Sequence, residues 1–134
     1  MFELYVVDIR NNTGTAYYRL GCAYLAKNRV KEAVKAYKQA VEYYTEGIEA
    51  YRATNEQGSE LFFKICLNIV NVKLCLYRCQ KDDNYLNDSI ALIQALIGKF
   101  KKLLPDSILI AIAYCTLGTT YRLKKQFKNS IKYY

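Results

Sequence analysis

Between residues 17 and 40 the chain sets an aromatic at Tyr17, a Leu20-Gly21 pair and Tyr24, then Ala33, Tyr37 and Ala40. Spacings of three, four and seven put each group on one face of a helix. A turn at Asn28-Arg29 separates the groups, and so short a connection forces the two helices to run antiparallel. Gly21, Ala33 and Ala40 are small enough to let the backbones approach closely.

The same periodicity continues along the chain. The first helix is predicted from Gly14 or Thr15 to Lys27, with Asn11-Asn12-Thr13-Gly14 supplying its cap. Residues 1–13 then read as an N-terminal cap or the end of a preceding helix, although Tyr5-Val6-Val7 also suits a strand. Val30, Val34, Tyr37, Val41, Tyr44, Ile48 and Tyr51 define a second helix of more than twenty residues, with Lys and Glu on its other side. A third, from about Ser59 to Gln80, is apolar nearly all round and is therefore the central element. Its one polar stripe is Lys64, Asn68, Asn71 and Arg78, with Cys75 filling the gap. Ile90, Ile93, Leu96, Ile97 and Phe100 mark a fourth helix, which Pro105 ends. Asp106 or Ser107 caps a fifth, and a sixth is predicted to start near Phe127.

The opening pattern recurs at Tyr114, Leu117-Gly118 and Tyr121, with Ser130 and Tyr134 in the places of Ala33 and Tyr37. Two copies with matching internal spacing resemble tetratricopeptide repeats (TPR). Gly21 and Gly118 stand 97 residues apart, so each unit takes about 48 residues rather than the roughly 34 of the short form, and the chain looks like the long-repeat type. The resemblance implies an all-α, right-handed superhelical solenoid of about two and a half antiparallel hairpins. One domain over 1–134 is expected, divided into repeat 1 (14–54), repeat 2 (55–104) and a truncated repeat 3 (105–134).

The resemblance also implies a concave groove lined by the first helix of each hairpin, where a peptide or helix of another protein binds. Carried over by motif position, the partner-binding candidates are Tyr18, Arg19 and Cys22 in repeat 1 and Cys115, Thr119 and Arg122 in repeat 3. Thr15, Leu25, Ile112 and Thr116 flank them. For the middle repeat they are Lys64, Asn68, Asn71 and Arg78. Tyr18 and Cys22 stand where some members carry a carboxylate-clamping lysine and asparagine, which disfavours that clamp.

Chemistry is constrained by what is missing. With no histidine among 134 residues, the commonest general base and metal ligand are absent. Cys75 and Cys79 lie one turn apart, but a structural metal site wants four ligands. No Gly-rich loop follows a strand, so a nucleotide site has no support. The reading is a noncatalytic scaffold with no cofactor, no metal and no small-molecule substrate.

The net charge is +8, and nearly all of it is C-terminal: residues 99–134 carry eight Lys/Arg against the single Asp106. Arg19, Lys64, Arg78 and Arg122 would favour an acidic partner and speed encounter. The tyrosines occupy packing positions, which disfavours nucleic acid as the partner. Five cysteines inside apolar patterns, with no secretory signal, suit a reducing cytoplasmic setting. No run reaches the length of a membrane span. A peptide-sensing regulatory domain of a larger protein is the alternative role. The chain is expected to be a piece of a longer array or to self-associate through its C-terminal end.

Overall fold

A computed structural model describes the backbone over residues 2–54 and 59–132, and the side chains of 5–54 and 59–126. Five helices follow one another: α1 (Phe2–Ala26), α2 (Val30–Arg52), α3 (Glu60–Gln80), α4 (Asn84–Leu103) and α5 (Ile108–Lys132). Among the described residues there is no strand. α1 pairs with α2 and α3 with α4 as hairpins, α2 packs on α3, and α4 packs on α5. The first helices also touch in sequence, α1 to α3 and α3 to α5, so they form one continuous side of the molecule. This is an all-α helical-repeat architecture of two hairpins and a fifth helix.

The predicted N-terminal boundary is not there. α1 runs unbroken through Asn11-Asn12-Thr13-Gly14, and the Tyr5-Val6-Val7 segment is helical rather than a strand. Tertiary packing overrides the local capping preference. Val7 is fully buried, and the α1 backbone at Asn11 passes close over Gly47 of α2. Asn11 caps nothing; it is buried and its Oδ1 accepts a hydrogen bond from Asn68 Nδ2 on α3 at 3.3 Å. Thr13 donates back to the Ile9 carbonyl at 2.8 Å.

α1 ends where Asn28 turns into the left-handed region (φ 60°). Arg29 N–H donates to Tyr24 O at 2.9 Å and Asn28 N–H to Leu25 O at 3.0 Å, closing the last carbonyls in the manner of a C-terminal cap. Asparagine tolerates that conformation better than most residues. α3 closes in the same way at Lys81 (φ 57°). Ser59 and Asp83 make no side-chain cap at α3 and α4; the Ser59 hydroxyl bonds the Tyr51 hydroxyl instead. At α5 the predicted cap is present, with Ser107 Oγ accepting from Leu109 N–H at 3.2 Å.

A second correction concerns the C-terminal end. α5 is one helix to Lys132, with no turn before Phe127 and no separate sixth helix within the described residues. Lys124, Lys125 and Gln126 stand where Lys27, Asn28 and Arg29 turn the first hairpin. All three are good helix formers, and none favours the left-handed conformation that Asn28 adopts. The predicted partners Ser130 and Tyr134 lie outside the residues whose side chains are described.

α3 is the centre of the core, with eleven buried residues from Phe62 to Tyr77. An aromatic chain joins the hairpins at one end: Tyr51 of α2 meets Phe62 (ring centroids 5.6 Å), and Phe63 meets Phe100 of α4 at 4.7 Å. Tilted rings at these separations attract one another beyond the area they bury.

Candidate functional site

The side formed by α1, α3 and α5 carries two neighbouring cavities. The first, of about 240 Å³, takes Tyr18 from α1, Asn71, Cys75 and Arg78 from α3, and Cys115 and Thr119 from α5. The second, of about 360 Å³, lies along α1 and α3 and is lined by Cys22, Leu25, Tyr37, Cys75 and Arg78. Cys75 and Arg78 belong to both, because a rise of one turn separates them on one face of α3.

Six of the ten predicted positions are brought together here: Tyr18, Cys22, Asn71, Arg78, Cys115 and Thr119. The other four are not. Arg19, Lys64 and Arg122 are exposed and line neither cavity. Asn68 is half-buried and spends its amide on Asn11, which makes it a tie between α1 and α3. Thr116, a flanking candidate, joins the first cavity, while its hydroxyl donates to Ile112 O at 2.8 Å.

Two lining residues outside the ten matter most. Cys75 sits at the gap in the polar stripe of α3, and its position in that stripe is the signal that marks it. Tyr37 belongs to α2, and its ring packs in the core at 1% exposure. Its hydroxyl nevertheless reaches the cavity wall and donates to Cys22 Sγ at 3.4 Å. Tyr18 packs beside it, with ring centroids 6.0 Å apart.

Burial pushes the Tyr18 hydroxyl up to about 12, with the neighbouring thiols Cys75 and Cys22 adding to the rise. Tyr37 is raised for the same leading reason. Burial likewise raises the Cys75 thiol, and Cys22 reinforces it; hydrogen bonds from Tyr37 and Tyr18 and the charge of Arg78 act the other way. At neutral pH both phenols are therefore neutral donors. Arg78 is the one charged side chain lining these two cavities among the described residues.

Tyr17, Leu20 and Tyr24, the motif positions, line a separate cavity of about 500 Å³ formed by α1 and α2 alone. There Tyr17 stacks on Tyr43 at 5.4 Å. Leu20 remains 42% exposed, so its packing role is only partial. No group of three or more His, Cys, Asp or Glu side chains suited to a metal ion occurs among the described residues. No helix among them is long and apolar enough to cross a membrane.

The family model described as tetratricopeptide repeat matches residues 14–46 and 111–134. The first stretch covers the later part of α1 and most of α2, and the second covers most of α5. These two matches support a tetratricopeptide repeat family, and such repeats generally mediate protein–protein interaction. No curated protein and no solved structure matched the chain significantly.

Proposed function

We propose that this chain is a noncatalytic protein-interaction module that receives an acidic peptide or helix of a partner protein along α1, α3 and α5. The observation that carries this reading is the first cavity, where side chains from all three first helices meet around Arg78 with no acidic residue among them. A carboxylate of the partner would pair with Arg78, and the Tyr18 hydroxyl and Asn71 amide would supply further donors. Leu74, Leu25 and the tyrosine rings would give the apolar contact from which most of the affinity comes. Arg19, Lys64 and Arg122 lie outside the cavities, where they would act on encounter rate rather than on the bound state.

The test is a peptide-display selection against the intact chain, with Arg78→Glu as the counter-selecting variant. Enrichment of acidic sequences that bind the wild type and not the variant is the expected result. Selected peptides that are basic, or that bind both proteins equally, would overturn the proposal.

A further inference from the structure

The second cavity brings two thiols from different helices to the same place. Cys22 on α1 and Cys75 on α3 line it together with Tyr37 and Arg78. The Tyr37 hydroxyl donates to Cys22 Sγ at 3.4 Å, and Cys75 Sγ lies beside the same hydroxyl and that of Tyr18. Two thiols thus share one pair of phenol donors. Cys22 is exposed and Cys75 is half-buried behind it.

Three features distinguish this pair from the other cysteines. A thiolate is the reactive form, and neutral phenols beside it are donors that stabilise it. Arg78 adds a positive charge next to Cys75. Both side chains line one cavity, Cys22 from α1 and Cys75 from α3, two helices that touch. Cys66 is buried in the core and lines neither cavity, and burial holds its thiol up at about 11. Cys115 lines the first cavity with Cys75 but not the second, where Tyr37 meets Cys22.

We propose that Cys22 and Cys75 form a redox-active dithiol, which an anionic low-molecular-weight disulfide oxidises to a bond tying α1 to α3. Exposed Cys22 reacts first. Its thiolate attacks one sulfur of the small disulfide, whose S–S bond breaks as a mixed disulfide forms on Cys22. One small thiolate leaves and takes up a proton in place of the one Cys22 lost. Cys75 then gives up its proton and attacks Cys22 Sγ; the mixed disulfide breaks, and the second small thiolate leaves and is protonated. Two electrons and two protons pass from the protein thiols to one small disulfide. Arg78 favours carboxylate-bearing reagents in the first step. The bond replaces the Tyr37–Cys22 contact and draws α1 and α3 together at the floor of the cavity.

The experiment uses the intact, fully reduced chain with oxidised glutathione as the only oxidant, followed by acid quench, alkylation and peptide mapping. The expected product is a Cys22–Cys75 linked peptide that dithiothreitol releases, with Cys66 alkylated throughout. Cys75→Ser should instead accumulate a stable glutathione adduct on Cys22. Tyr37→Phe keeps the ring in place and removes the donor, so adduct formation should slow about ten-fold. Circular dichroism of both variants confirms that they are folded, and the wild-type product is read without them. Separate alkylation of Cys22 and Cys75 in the wild type would overturn the proposal, as would a Cys75–Cys115 or intermolecular link in place of the expected one.

Discussion

The ring of Tyr37 lies directly over Gly21, so that a methyl group added to the glycine would stand 2.6 Å from two of its ring carbons. The hairpin repeats this arrangement one heptad away, where Tyr44 covers Gly14 at 2.7 Å. Gly118 holds the corresponding place in the second copy of the motif, yet nothing lies within 4 Å of a methyl group there.

The two glycines should therefore respond to alanine with opposite signs. Gly21→Ala gains about 1 kcal/mol of helix propensity but must displace an aromatic ring, an overpacking cost of about 1–3 kcal/mol. A net loss of stability is expected, measured as a lower urea midpoint. Gly118→Ala meets no neighbour and should add about 0.5–1 kcal/mol of stability, read as a higher urea midpoint. A stabilised Gly21→Ala variant would show that the ring yields freely.

Asn11 and Asn68 offer a test of the unbroken α1. Each partly buried amide is the other's partner, and Asn68→Ala leaves Asn11 unsatisfied at a cost of about 1–3 kcal/mol. In a double-mutant cycle the pair should lose less than the sum of the single losses. Strict additivity would mean that the N-terminal turns of α1 do not pack on α3 in solution.

Phe100 of α4 packs on Phe63 and Phe62 of α3 inside the second hairpin and is fully buried. Phe100→Ala should cost about 3–5 kcal/mol, enough to unfold a domain of ordinary stability. Leu103, one turn on and 55% exposed, should tolerate alanine within about 0.5 kcal/mol. Thermal unfolding of both variants separates the outcomes.

Alkaline pH should unfold the protein. Burial raises Tyr18 to about 12 and Cys66 to about 11, and raises Tyr37, Tyr44 and Cys75 as well. The fold thus favours the protonated forms. Below the unfolded-chain values, about 8.5 for a thiol and 10 for a phenol, their contribution is complete; it is lost as pH rises through the folded values. The urea midpoint should hold steady up to about pH 8.5 and fall steadily beyond it. A midpoint unchanged at pH 11 would contradict this.

Arg78 and Arg122 separate the cavity from the general basicity of the chain. Arg78→Glu should weaken an acidic peptide chosen by display at least ~10-fold, mainly through dissociation, whereas Arg122→Glu should change association by less than ~3-fold and lose its effect at high salt. Equal effects from both would place the binding energy outside the cavity.

Much of the fold was open to reading because hydrophobic periodicity is a local signal. α2, α3 and α4 follow directly from apolar residues spaced by three and four. The start of α1 does not, since Asn11-Asn12-Thr13-Gly14 reads locally as a cap, and only the burial of Val7 and the Tyr44 ring over Gly14 make it helix. The end of α5 fails for the converse reason: the motif places a turn at 124–126, while those residues favour continuing the helix. In the candidate site, repeat register marks Tyr18, Cys115 and Thr119 and the polar stripe of α3 marks Asn71 and Arg78, and they meet because first helices share one side. Tyr37 escapes such reasoning. Its ring belongs to the core and its hydroxyl to the cavity, and no pattern of polarity records a side chain with two addresses.

The first hairpin also carries its own ruler. Gly14 and Gly21 lie seven residues apart on α1, and the rings that cover them, Tyr44 and Tyr37, lie seven apart on the antiparallel α2. A step of two turns up one helix is thus matched by the same step down the other. Deleting one such step from both helices together would preserve every facing pair, whereas deleting it from one alone would turn each notch onto the wrong residue. Long hairpins of this kind therefore grow or shrink in paired heptads, and repeat length becomes a discrete quantity rather than a continuous one.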